Sequence, residues 1–121
     1  MPVKTFTFTV DSHGSGDTMD VTPTVRGYLQ ESGLNDGIVT VFVPGSTAVV
    51  TTVEFEDGVV RDIQSALDRL FPESIEYEHH LRWGDGNGHS HVRAAFMGPS
   101  LTIPFTRGEL ILGTWQQIVV I

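Results

Sequence analysis

No cysteine occurs anywhere in this 121-residue chain. That absence removes disulfides, thiolate metal sites and cysteine nucleophiles together, and it fits a reducing compartment, so the cytoplasm is the expected location. Lysine is almost as scarce. Lys4 stands alone beside six arginines, against 15 acidic residues, for a formal net charge of −8. A phosphate backbone or an anionic lipid surface would repel such a chain unless its cations were gathered in one patch, so neither nucleic acid nor membrane is an expected partner. No apolar run approaches the ~20 residues of a membrane-spanning helix. The first residues lack the charged leader and apolar stretch of a secretory signal. Charged residues are few, 18% against a hydrophobic fraction of 40%, which leaves enough apolar side chain for a core that needs no metal or disulfide.

What is present reads as a single domain over residues 1–121, with no repeat, low-complexity tract or linker. Residues 4–10 alternate Phe6, Phe8 and Val10 with Thr5, Thr7 and Thr9, the pattern of a half-buried strand. A loop rich in Gly, Ser and Asp follows. Thr22-Pro23 opens a helix, with Thr22 as its N-cap and Gly33 placed to end it. Residues 38–43 read as a buried strand and residues 48–55, rich in Val and Thr, as another. Between Asp57-Gly58 and Pro72 a second helix over residues 59–70 carries an apolar stripe of Val60, Ile63, Leu67 and Leu70. Beyond Tyr77 the pattern predicts strands at residues 76–83, 89–97, 101–105 and 110–121. The sum is about seven strands and two helices. Connections in the second half are too short for parallel crossovers. The predicted class is therefore α+β, a mostly antiparallel β-sandwich with two helices packed to one side. The pattern stops mid-strand at residues 118–121, so a C-terminal continuation is expected.

Four of the five histidines, His79, His80, His89 and His91, lie close together, with Arg82 and Arg93 beside them and Asp85 as the one acid among them. This is the stretch where cationic groups dominate, and such a patch favours an anionic ligand even when total charge opposes it. On a strand over residues 89–97, His89, His91 and Arg93 would share one face and Val92, Ala94 and Phe96 the other. Two parallel imidazoles can donate to one metal ion, with His79 or His80 of the preceding strand as the third ligand and an open position left over. Plainer readings stand beside this one. Asp85-Gly-Asn-Gly88 is foremost a turn signal, a His-x-His pair can simply be solvated, and His13 lies in a polar loop. Trp83 and Trp115 fit core or interface positions better than substrate platforms.

The run Tyr77-Glu-His-His-Leu-Arg-Trp-Gly-Asp-Gly-Asn-Gly-His-Ser-His91, with Gly98-Pro-Ser100 and Leu112-Gly-Thr-Trp-Gln116, resembles the YjbQ-like family, often described as secondary thiamine-phosphate synthases. The likeness runs nearly the whole chain, through the strand at residues 41–43, Gly45-Ser-Thr-Ala48 and Val53-Glu-Phe-Glu56. It implies an α+β fold with a β-sandwich core, a homotrimer, and a pocket in which histidines hold a metal or contact an anion. The corresponding positions are His79, Asp85, Asn87 and His91, with Glu54, Ser100 and Gln116 as weaker candidates, the last two for contact with an anion or substrate. Two departures stand out. Many members carry His-Thr-Thr where this chain has Gly45-Ser46-Thr47, and His89 stands where many have a small or non-ligand residue. The expectation is that His89 replaces the lost ligand and completes a His79/His89/His91 metal site.

The resemblance implies an enzyme acting on a small phosphorylated metabolite. Thiamine-phosphate synthesis displaces pyrophosphate, so its leaving group needs charge neutralisation. Arg93, Arg82 and a histidine-bound divalent ion would supply it, zinc by the donor type or magnesium with a diphosphate substrate. The resemblance, together with Arg93 beside the histidines, makes Asp85, Asn87, Arg93 and Glu54 the expected catalytic set. The alternative is a non-catalytic trimer that binds a metal or an anion. A serine hydrolase is disfavoured because Gly98-Pro99-Ser100 is followed by Leu101 and not by the glycine of a nucleophile elbow. A glycosidase is disfavoured by its scattered acids.

Overall fold

A computed structural model describes residues 2–121. It contains, in order, β1 (Met19–Asp20), α1 (Thr22–Ser32), β2 (Gly37–Phe42), β3 (Val50–Glu54), α2 (Asp57–Leu70), α3 (Glu78–Trp83), α4 (Gly88–Met97), β4 (Ser100–Thr106), β5 (Glu109–Leu110) and β6 (Gln116–Val120). The strands form two antiparallel three-stranded sheets, β1-β6-β3 and β2-β4-β5. The α+β class and the antiparallel sheets match the sequence expectation. The helix count does not, since four replace the expected two.

Both sheets feed one core. Val50, Ile118 and Val120 come from the first, Val41 and Ile103 from the second, and Val21 and Val25 close it from the start of α1. Ile118 is wholly enclosed, which accounts for the unbroken apolar run near the end of the chain. β6 is the middle strand of its sheet, paired with β3 from Glu54↔Gln116 to Val50↔Val120.

Thr22 is a helix residue and not the expected cap, because Val21 precedes the helix and Asp20 Oδ1 accepts from the Thr22 amide at 2.9 Å. The freed Thr22 hydroxyl lies in the core and accepts from the Ile118 amide at 2.7 Å. A buried polar group needs such a partner. Gly33 ends α1 in the left-handed conformation, as its sequence predicts. Glu56 caps α2, accepting from the amides of Gly58 and Val59 at 2.8 and 2.6 Å. Those two amides also hold its carboxyl below the usual range.

Three expected strands are absent among the described residues. Residues 4–10 join neither sheet. They lie along α1, with Phe6 stacked on Tyr28 at 4.7 Å and Lys4 Nζ donating to the Ser32 carbonyl at 2.6 Å. The strands expected at residues 76–83 and 89–97 are the helices α3 and α4. α3 contains no β-branched residue, has Glu78 in its first turn and His80 and Arg82 in its last, and ends at left-handed Gly84. Each of these suits a helix and its dipole. The strand expected over residues 110–121 is broken at residues 111–115, where the Gln116 amide donates to the Gly113 carbonyl at 3.0 Å.

Candidate functional site

α3 and α4 are joined by residues 84–87, where Gly84 and Gly86 both have left-handed backbone, with φ of 70° and 71°. The reversal brings His79 of α3 against His91 of α4, their ring centroids 4.4 Å apart. Asp85 and Asn87 of the connection reach back to His79. Its Nε2 lies 3.1 Å from Asp85 Oδ1 and 2.9 Å from the Asn87 amide. With the Asn87 nitrogen turned toward Asp85, the orientation that satisfies the network, it donates both to that carboxylate and to His79 Nε2, each at 2.9 Å.

The two neighbours make opposite demands on Nε2, since the turned Asn87 amide donates to it while an ionised carboxylate only accepts. A carboxylate behind one ring nitrogen, with the other free, is the arrangement that makes an imidazole a better base or a better metal ligand. Glu78, His79, Leu81 and Arg82 line an open depression alongside.

Two residues outside the cluster hold its loop. His80 Nε2 accepts from the Gly88 amide at 3.0 Å, which satisfies a donor of the first turn of α4. The His80 ring meets Tyr77 edge-on at 5.4 Å, and the Tyr77 hydroxyl donates to the Pro72 carbonyl at 2.7 Å. Gly88 packs so closely on Tyr77 that a Cβ there would lie 2.6 Å from the tyrosine Cβ. Sequence reasoning passed over Tyr77 and His80 as supports. The glycine at the start of α4 was the available signal.

The other expected residues lie elsewhere. His89 and His91 do not share a face, because two positions along a helix turn the side chain by about 200°. His89 points inward and is 3% exposed. Its Nε2 meets the hydroxyls of Ser15 and Ser90 at 3.2 and 3.3 Å, with Glu73 at 3.9 Å, and Nδ1 is without a partner among the described residues. Burial pushes its pKa down, Glu73 opposes, and Arg93 and His80 add to the lowering. The expected His79/His89/His91 triad is therefore not assembled.

Arg93 is also buried. Its Nε and Nη2 donate to the Phe71 carbonyl at 3.1 and 2.8 Å, and Nη2 lies 3.4 Å from Asp68, so it ties α4 to the end of α2. Arg82 is exposed and lies over its neighbour Trp83. Glu54 and Gln116 are register partners at one end of the β3–β6 pair. Gln116 donates to Thr52 and accepts from Gly113, while Ser100 opens β4 opposite Phe42. No hydrogen bond or ion pair links Glu54, Ser100 or Gln116 to the histidine cluster among the described residues. Nor does any group of three or more His, Asp or Glu side chains there converge closely enough to cage a metal ion.

Residues 6–121 match the family described as UPF0047 protein YjbQ-like. The chain is 38% identical over 102 residues to a UPF0047 protein of Methanothermobacter thermautotrophicus, covering 84% of this chain and 70% of that one. It is 33% identical over 103 residues to the UPF0047 protein YugU of Bacillus subtilis, with 84% and 76% covered. Two solved structures resemble it closely. A YjbQ/UPF0047 family protein of Clostridium acetobutylicum superposes with a TM-score of 0.79 at 40% identity, covering 86% of this chain and 78% of that one. A YbjQ-like protein of unknown function from Sulfolobus solfataricus gives 0.87 at 32% identity, with 92% and 79% covered. On the span of the family match and the agreement in fold, the chain is a member of the UPF0047 (YjbQ-like) family.

Proposed function

We propose that the pocket at the α3–α4 reversal binds a small phosphorylated metabolite together with a divalent ion, and that the protein acts on that metabolite as an enzyme. One observation carries the reading. His79 is backed by Asp85 and Asn87 and stands against His91, so two imidazoles meet where one of them is held at Nε2 by a carboxylate and an amide.

Two histidines fit a metal ion only in part. They are nitrogen donors of the kind zinc prefers, but no third His, Asp or Glu converges with them closely enough to cage an ion among the described residues. His79 and His91 would hold the ion, and oxygens of the phosphorylated ligand would complete it. Such an ion neutralises charge on phosphate oxygens. Asp85 and Asn87 fix the direction of the His79 ring, and the Tyr77–Gly88–His80 packing holds the loop that carries them. Arg82, exposed beside the depression, is the cation free to approach an anionic ligand. Thiamine-phosphate formation with release of pyrophosphate is the specific reaction that the family resemblance suggests.

Titration calorimetry with zinc, alone and with inorganic pyrophosphate, tests the site. Binding should be lost in His91→Ala and weakened about 10–100-fold in Asp85→Asn. Unchanged affinity in a folded His91→Ala chain would overturn the proposal.

A second reading, a non-catalytic metal- or anion-binding homotrimer, is favoured by the exposed Leu81 and Trp83 of α3, 69% and 67% accessible beside the cluster. It predicts the same binding with no turnover of any phosphorylated substrate.

A further inference from the structure

We propose that Asn87 is a site of spontaneous deamidation, and that the contacts which orient His79 also hold this reaction in check. The chain has two asparagines, and Asn87 is the one followed by glycine. The nucleophile in this chemistry is the next backbone nitrogen. The Gly88 nitrogen gives up its proton to solvent and bonds to Cγ of Asn87, and the Cγ–Nδ2 bond breaks. The leaving nitrogen takes a proton from solvent and departs as ammonia, and a five-membered succinimide remains. Water opens that ring at either carbonyl, leaving aspartate or isoaspartate at position 87. The net change is amide plus water to acid plus ammonia. Glycine favours the step because it has no side chain to crowd its nitrogen and it permits the backbone rotation that the ring demands.

Ring closure needs Cβ of Asn87 to eclipse the Gly88 nitrogen, and the fold opposes this in three ways. A ψ of 20° at Asn87 sets Cβ nearly opposite that nitrogen about the Cα–C bond. The peptide plane between the two residues is held at both edges. The Asn87 carbonyl accepts from the amides of Ser90 and His91 at 3.0 and 3.3 Å, and the Gly88 amide donates to His80 Nε2 at 3.0 Å. The side chain is held as well, its nitrogen donating to Asp85 and to His79 Nε2, each at 2.9 Å. Gly88 itself is buried against Tyr77. Only an opened form of the α3–α4 reversal can react, so the rate follows the population of that form.

The product changes the histidine cluster. A carboxylate at position 87 replaces a donor that faces Asp85, so two like charges meet where a hydrogen bond stood. Isoaspartate also adds a carbon to the main chain at the residue whose carbonyl closes the first turn of α4. Either product releases the His79 ring from the contact that the Asn87 amide supplies. The age of the protein is thereby written into the geometry of its histidine pair.

Peptide mapping by mass spectrometry, on the full chain kept at physiological temperature and neutral pH, reads the conversion at position 87. The folded chain should convert at least about tenfold more slowly than the same chain in guanidinium chloride. Asn35, exposed and followed by Asp36, is the internal control and should lag behind Asn87 in denaturant. Asp85→Ala and His80→Ala, each measured against its own denatured rate, should narrow the gap while circular dichroism shows the fold kept. Converted protein, separated by its extra negative charge, should show displaced ring C–H resonances of His79, as should Asn87→Asp. Equal rates in the folded and denatured native chain overturn the proposal, and that comparison needs neither variant. So does an Asn87 that converts no faster than Asn35 in denaturant. A gap that both folded variants leave unchanged, or His79 resonances that do not move, would equally sink the link to the histidine cluster. Neither zinc nor a phosphorylated ligand enters these measurements, so this proposal and the ligand-binding one fail separately.

Discussion

His89 is enclosed yet titratable, and its position sets a direction for acid sensitivity. Burial holds the folded ring below its ordinary value of 6.5. As pH falls, the unfolded chain therefore takes up the proton first, and the stability contributed by neutral His89 drains away. That contribution is complete above about pH 6.5 and is lost as the pH drops toward the folded value. Urea midpoints measured from pH 8 to pH 5 should fall more steeply in the native chain than in His89→Gln. Parallel curves would show that the ring is not the sensitive group. Asp17 acts in the same direction at lower pH, because the backbone amide and ring of His13 hold its carboxyl below the usual range. Its contribution persists until the pH falls well into the acid range.

At the scale of elements, α4 shows why a sequence pattern can mislead. Ser90, Val92, Ala94 and Phe96 alternate with more polar residues, and a period-two reading places the apolar set inside. In the helix the buried set includes His89 and Arg93, four apart, while Phe96 is 76% exposed. Hydrophobicity is inverted on this element, so its period carried no usable signal. Local propensity did carry one, since Val92 is the sole β-branched residue between Gly88 and Met97. β2, β3 and β4 and the helices α1 and α2 were legible because their capping residues, turns and apolar faces agree. The pairing of His79 with Asp85 and Asn87 was reachable only through family likeness. It depends on a chain reversal at Gly84 and Gly86 that spacing alone does not reveal.

Two substitutions test how these helices are fixed. Gly88→Ala should destabilise the fold by about 1–3 kcal/mol, since the new methyl group must displace Tyr77. An unchanged melting temperature would mean that the helix pair yields. Arg93→Lys should destabilise nearly as much as Arg93→Ala in urea melts. A single ammonium cannot reproduce the two donors that the guanidinium directs at the Phe71 carbonyl. Full rescue by lysine would show that charge alone matters there.

Across the whole molecule, one core shared by two sheets predicts one unfolding event. Ile118→Ala should cost about 2–5 kcal/mol and lower the urea midpoint with little change in slope. A second transition in that variant would mean that the sheets separate. The antiparallel class was legible from short connections and Gly/Pro punctuation. The division into two sheets of three was not, because it depends on β6 pairing with β1 and β3, which lie far from it in the chain.

His91 inherits a consequence from the buried side of its own helix. His89 and Arg93, two residues away on either side, are anchored inward, so the backbone beneath His91 has little room to shift or fray. Amide hydrogen exchange should be slow through the middle of α4 before any ligand is added, and a ligand should slow it only slightly further. A receptor built this way gives up little motion on loading, and the entropic cost of ordering falls on the ligand.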